Sequence, residues 1–347
     1  MRTIIEGFAV ETTDDLIFTV KGLLHPPARV IAYLRYLPHP AGERARGSVR
    51  YRRVYRFEQQ EAILEARYPT YLAHDAVLGL RVQSVPRGRV RRVYDPRQYL
   101  AALRQRGPDD PLEQEALSLS SLLCESTRVA PESLGVSGSL MLGLHRPDSD
   151  LDLIVYGEQA AREVHGTVRD LLHEADSSLR RPTQEQLAAL HAQHRPDTPL
   201  SFQAFAQLQS RKVNELRFRG RETFIRFVKH PEEVAERYGD RRFEGLGPAK
   251  ISARVTDDSE AIFTPCRYVV EDARLGDGSP VTDLRKIVSY RGRFSDQIRA
   301  GEWTLARGEL ERVTDVTEEG RLSYRRLVVG GRAGDTLLAR QGRHELP

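Results

Sequence analysis

A chain of 347 residues is longer than a typical single domain, and it holds no uninterrupted apolar stretch near the roughly 20 residues that cross a bilayer. Two or three packed, soluble units are therefore expected, with no membrane span. The 53 basic and 49 acidic residues leave a net charge of only +4, which excludes a global field of the kind that gathers nucleic acid, so any such contact must come from a local patch. Cys124 and Cys266 lie far apart and make neither a metal-ligand pair nor a disulfide framework. The first residues carry an acid within their apolar run and no small-residue cleavage site, so a cytoplasmic location is expected.

The chain opens with β-type runs, Ile4 to Val10, Leu16 to Val20 and Val30 to Leu37, separated by turn signals at Thr13-Asp14-Asp15 and Pro26-Pro27. A further run from Val49 to Phe57 leads into helical stretches at Glu58 to Ala66 and Pro96 to Arg104. Residues 1–107 thus read as an N-terminal α+β domain. Gly107-Pro108-Asp109-Asp110-Pro111 is the strongest linker signal, because two prolines and a glycine cannot continue a helix or a central strand.

Leu112, Ala116, Leu119 and Leu123 then recur at helical spacing, followed by a short apolar run, Leu134 to Val136, and a Gly138-Ser139 turn. Leu151 to Tyr156 reads as a buried strand. The helix after it carries the apolar stripe Ala161, Val164, Val168, Leu171, Leu172 and Ala175. Thr223 to Val228 closes a central domain, residues 108–230. Beyond it, the runs Ile251 to Val255, Tyr268 to Val270, Lys286 to Tyr290, Trp303 to Val313 and Leu322 to Val329 suggest a small β-barrel in residues 231–347, ending in a polar tail from Arg340 to Pro347. The fold class is α+β.

Chemistry concentrates between Leu134 and Val155. A strand running into Gly138-Ser139 turns the backbone amides and the Ser139 hydroxyl toward phosphate oxygens, and glycine permits close approach. Asp150 and Asp152 flank Leu151, so the two-residue period of a strand puts both carboxylates on one face. Two acids aimed one way repel unless a cation lies between them, and oxygen ligands of this kind suit Mg²⁺, with Mn²⁺ as its substitute.

Gly138-Ser139 followed after ten residues by Asp150-Leu151-Asp152 resembles the signature of the DNA polymerase beta-like nucleotidyltransferase superfamily, over about residues 112–230. The three-part chain also resembles a poorly characterised family of archaeal and bacterial nucleotidyltransferases. The resemblance implies a central nucleotidyltransferase mixed sheet with flanking helices, metal ligation by Asp150 and Asp152, an NTP such as ATP held at Gly138 and Ser139, and transfer of its NMP to a hydroxyl. It also implies a third carboxylate on a later strand, for which Glu222 is the best-placed candidate; Asp257, Asp258 and Glu260 are alternatives. Extra units on either side favour a large acceptor such as RNA, with a protein or small molecule as alternative acceptors and a non-catalytic nucleotide- or RNA-binding module as the rival reading.

Arginine and tyrosine interleave at Arg44, Arg46, Arg50, Tyr51, Arg52, Arg53, Tyr55 and Arg56, with a second basic group at Arg87, Arg89, Arg91 and Arg92. An RNA-contacting surface and a solvated sheet face account for this pattern equally well. His191 and His194 lack partners at ligand spacing, which argues against zinc.

Overall fold

The computed structural model describes residues 3–316 and 322–340. The chain falls into two compact units, one made of residues up to Asp75 with Arg81–Glu174 and Phe218–Tyr238, the other of Ala76–Leu80 and Ala175–Arg217 with the residues from Gly239 onward. Both are mixtures of helix and strand. No helix among the described residues is long and apolar enough to cross a membrane.

The first unit begins with an antiparallel sheet of β1 (Ala9–Thr12), β2 (Ile17–Val20), β3 (Arg29–Pro38), β4 (Arg44–Arg46) and β5 (Val49–Arg53). After α1 (Phe57–Arg67), β6 (Leu72–Asp75), β7 (Leu80–Pro86) and β8 (Val90–Tyr94) complete it, in the order β4-β5-β3-β2-β1-β8, with β7 joining β3 to β6. The expected first strand is shifted: Ile4 to Gly7 lies outside β1, because Gly7 takes a positive φ of 91° and turns the chain. β6, β7 and β8 were missed by the sequence pattern, since charged residues interrupt their apolar alternation.

Two helices follow. Pro96 starts α2 (Pro96–Arg106) and Asp95 caps it; Pro111 starts α3 (Pro111–Ser126), and the Asp110 carboxylate accepts from the amides of Leu112 and Glu113 at 2.8 and 3.0 Å. The proline-glycine cluster thus ends one helix and caps the next. A small parallel-antiparallel sheet carries the site. β9 (Leu134–Val136) leads through the short helix α4 (Gly138–Met141) and a loop to β10 (Leu151–Tyr156), its antiparallel neighbour. α5 (Glu158–Leu171) then covers the sheet with Ala161, Val164 and Val168. One apolar cluster includes Ile5, Phe8, Val10, Phe18 and Leu34 of the N-terminal segment together with Ile154 and Tyr156 of β10.

The second unit contains β11 (Leu179–Arg180), α6 (Gln184–His194), α7 (Phe202–Gln209) and β12 (Glu215–Phe218), and the chain returns to the first unit with β13 (Arg221–Val228), which lies parallel to β10. β14 (Arg241–Asp257), β15 (Cys266–Leu275), β16 (Leu284–Ser289), β17 (Trp303–Asp315) and β18 (Ser323–Val328) then form the C-terminal barrel. β14 pairs with both β15 and β17, and β18 joins β16 to β17, so the five strands close on themselves while β19 (Thr336–Arg340) extends β17. Inward residues Ile251, Val255, Tyr268, Ile287 and Leu327 fill it. β14 starts ten residues before the expected run because its first half is glycine-rich and weakly apolar, with a register shift between Gly245 and Gly247 that bends it. Of the expected polar tail, residues 341–347 lie outside the described residues.

β9 is held against α2 at Gly135, where an added Cβ would stand 2.7 Å from Pro96 Cβ and 2.9 Å from the Arg97 amide nitrogen. Because the obstacle includes backbone, Gly135→Ala should lower stability by about 1–3 kcal/mol, read as a reduced denaturant midpoint with an unchanged slope.

Candidate active site

Local backbone chemistry fixes the turn after β9. Ser137 N donates to Asp152 O at 2.9 Å, tying the turn to β10. Gly138 has φ +68°, and a Cβ there would lie 2.2 Å from Asp152 Oδ2. Glycine is required twice over, for its conformation and because the Asp152 carboxylate occupies the space of a side chain. Ser139 is buried beside it, and its Oγ has no hydrogen-bond partner among the described residues.

The loop between α4 and β10 is anchored from three sides. His145 Nε2 meets Asp110 Oδ2 at 2.9 Å, tying the loop to the cap of α3. Ser149 Oγ accepts from Arg146 N at 2.9 Å and from Arg44 Nη1 at 3.1 Å, and Arg44 also donates to Leu144 O. Arg221, ion-paired with Glu115, donates to Pro147 O at 2.9 Å and Ser149 O at 2.8 Å. These contacts deliver Asp150 to the start of β10. Arg221 escapes sequence reasoning because its contacts are to backbone oxygens some 70 residues away. Arg44, singled out only as one of a basic series, is in fact a loop anchor.

Leu151 is fully buried, while Asp150 and Asp152 on either side of it are half-buried and share the opposite face. Loss of water around Asp152 and the facing charge of Asp150 raise its carboxyl from the ordinary 3.8 to about 6, although Arg226, Arg53 and Arg35 oppose the shift. Crowded oxygen acids with an unpartnered hydroxyl close by fit a hard divalent cation such as Mg²⁺, which keeps water and phosphate among its ligands. Among the described residues no three His, Cys, Asp or Glu side chains come together as a metal-binding group, so further ligands would come from substrate or water.

Glu222 stands one residue ahead of the β10–β13 ladder, which begins with Leu151 opposite Thr223, and its side chain is exposed. Asp152 is opposite Phe224 and Ile154 opposite Arg226, so the charged side chain of β13 on the Asp152 face beyond Phe224 is a guanidinium. Asp257 takes part in a turn, accepting from Ser259 N at 2.8 Å. His191 Nε2 contacts Leu200 O at 2.7 Å, and burial pushes His194 down to about 4, beside Phe205, so both serve packing.

The arginine-tyrosine series divides. Arg46 turns inward to Glu11 at 2.7 Å and to the hydroxyls of Tyr94 and Tyr51, and Arg91 ion-pairs with Glu11 and Asp15. Arg50 donates to Gly42 O. Arg53 and Tyr55, by contrast, lie with Arg35, whose field reaches Asp152.

A family model described as a nucleotidyltransferase domain matches residues 121–216, which include the glycine-serine turn and both aspartates. Over 340 residues the chain is also 29% identical to an uncharacterised protein of Methanocaldococcus jannaschii, covering 95% of this chain and 96% of that protein. No solved structure matches the chain.

The upward shift of the Asp152 carboxyl has a measurable consequence. A carboxyl whose folded value exceeds its unfolded one holds extra protons when folded, so its contribution to stability is lost as pH rises from about 4 through about 6. In the presence of chelator, Asp152→Asn should therefore melt increasingly above wild type from pH 4.5 to pH 8, and added Mg²⁺ should narrow the gap by stabilising wild type alone. A gap independent of pH would show that the carboxylate carries no such charge cost.

Proposed function

We propose that the chain transfers a nucleoside monophosphate from an NTP to a hydroxyl and releases pyrophosphate, with RNA as the acceptor. The observation that carries this reading is the close approach of the Gly138 turn to Asp152, which sets the turn directly beside one of the paired carboxylates. Gly138 and Ser139 bind the triphosphate, the buried Ser139 hydroxyl donating to a phosphate oxygen. Asp150 and Asp152 would hold Mg²⁺, which would supply neutralisation of the charge that develops in phosphoryl transfer. Leu151 and the anchored loop fix the two carboxylates in place before substrate arrives, so little reorganisation is left to the reaction itself. Glu222, at the entrance to β13, is the candidate third carboxylate, acting on the acceptor hydroxyl.

A second reading, a non-catalytic nucleotide- or RNA-binding module, is favoured by the lack of a three-ligand acidic group among the described residues. Pyrophosphate release from each of the four NTPs with Mg²⁺ and pooled RNA separates the two. Wild type should be active, Asp150→Asn/Asp152→Asn should lose at least a hundredfold, and Glu222→Gln should lose activity with NTP binding retained. Intact NTP binding without turnover in wild type would favour the binding module.

A further inference from the structure

Arg35 lies on β3 and Arg53 at the end of β5, strands that pair with Tyr36 opposite Arg53, while Val54 N donates to Arg35 O at 2.9 Å. Both guanidinium groups gather on one ring: Arg35 Cζ is 4.7 Å and Arg53 Cζ 4.2 Å from the centroid of Tyr55, itself 53% exposed. Neither side chain has a carboxylate partner among the described residues, and Arg53 Nε is buried with no hydrogen-bond partner. Like charges this close repel, so the arrangement stores an unmet demand for an anion.

The neighbouring cations are treated differently. Arg226 and Lys21 both pair with Glu6, at 3.0 and 3.2 Å, and Glu6 is fully buried and also accepts from Gly22 N at 2.7 Å. That carboxylate is consumed within the fold. Arg53 Nε has no such partner, and the chain neighbours of the two arginines, Leu34 and Val54, pack in the same apolar cluster as Ile154, two residues on from Asp152. Arginine suits the role, because its planar fork meets two phosphate oxygens at once.

We propose that Arg35 and Arg53 form a phosphoryl-binding site beside Asp152, built by the N-terminal sheet and separate from the Gly138-Ser139 turn. It deepens the nucleotidyltransferase reading and rests on it. The phosphoryl group belongs either to the NTP or to the acceptor, in RNA the phosphate next to the terminal hydroxyl, and the two sources are separable.

The test is equilibrium binding by the full chain of two probes, an α,β-methylene NTP analogue with Mg²⁺, and inorganic phosphate in the presence of saturating analogue. Wild type is compared with Arg35→Ala, Arg53→Ala and the charge-keeping Arg53→Lys, with exposed Arg52→Ala as a control for net charge and circular dichroism as a check on folding. Each alanine variant should weaken one probe about tenfold or more, Arg53→Lys less, and Arg52→Ala not at all. Weaker analogue binding assigns the donor; unchanged analogue binding with weaker phosphate binding assigns the acceptor. Folded variants that bind both probes as wild type does, or an equal loss in Arg52→Ala, overturn the site. Failure of wild type to bind the analogue would instead sink the nucleotidyltransferase reading, while binding of phosphate alone would still decide the arginine cluster.

Discussion

Two carboxylates forced onto one face of β10 create a repulsion that the surrounding structure has to hold. Asp152 is the more enclosed in effect, its acidity displaced to about 6 by lost hydration and by Asp150. Everything near it answers to that charge. Gly138 gives up a side chain so that the carboxylate can lie against the turn, and Leu151 buries itself so that its neighbours cannot swing away. The loop before Asp150 is tied down by Arg44, Arg221 and Asp110, each from a different part of the fold.

The cations arranged about Asp152 reduce the cost of that repulsion without abolishing it, leaving a demand that metal and phosphate can meet. Arg226 is neutralised by Glu6, whereas Arg35 and Arg53 are not. Part of the arginine-rich N-terminal segment is structural: Arg46 and Arg91 satisfy buried Glu11, Arg44 anchors the loop before Asp150, Arg50 donates to Gly42 O and Arg89 pairs with Asp14.

The N-terminal sheet and the catalytic strands share one apolar core, with Ile154 and Tyr156 of β10 packed among Ile5, Phe8 and Phe18. Gly7 is part of that fit, since a Cβ there would stand 2.2 Å from Ile154 Cδ1. This packing puts Leu34 of β3 and Val54, just after β5, in the same core as β10. Tyr156 OH donates to Glu6 O at 3.3 Å and reinforces the same join.

The sequence by itself determined the elements whose signals are local. The strand at Leu151 to Tyr156, the helix marked by Leu112, Ala116, Leu119 and Leu123, the C-terminal barrel and the glycine-serine turn followed by paired aspartates all follow from periodicity, turn signals and spacing. Tertiary structure decided the rest, because partners distant in the chain leave no periodic trace. Only the fold shows that Gly138 faces Asp152, that Arg221 anchors the loop 72 residues before it, and that β13 presents Arg226 on the Asp152 face with Glu222 at its entrance. The same holds for Arg35, an unremarkable residue in an alternating strand until the pairing of β3 with β5 sets it beside Arg53 and makes two like charges seek an anion.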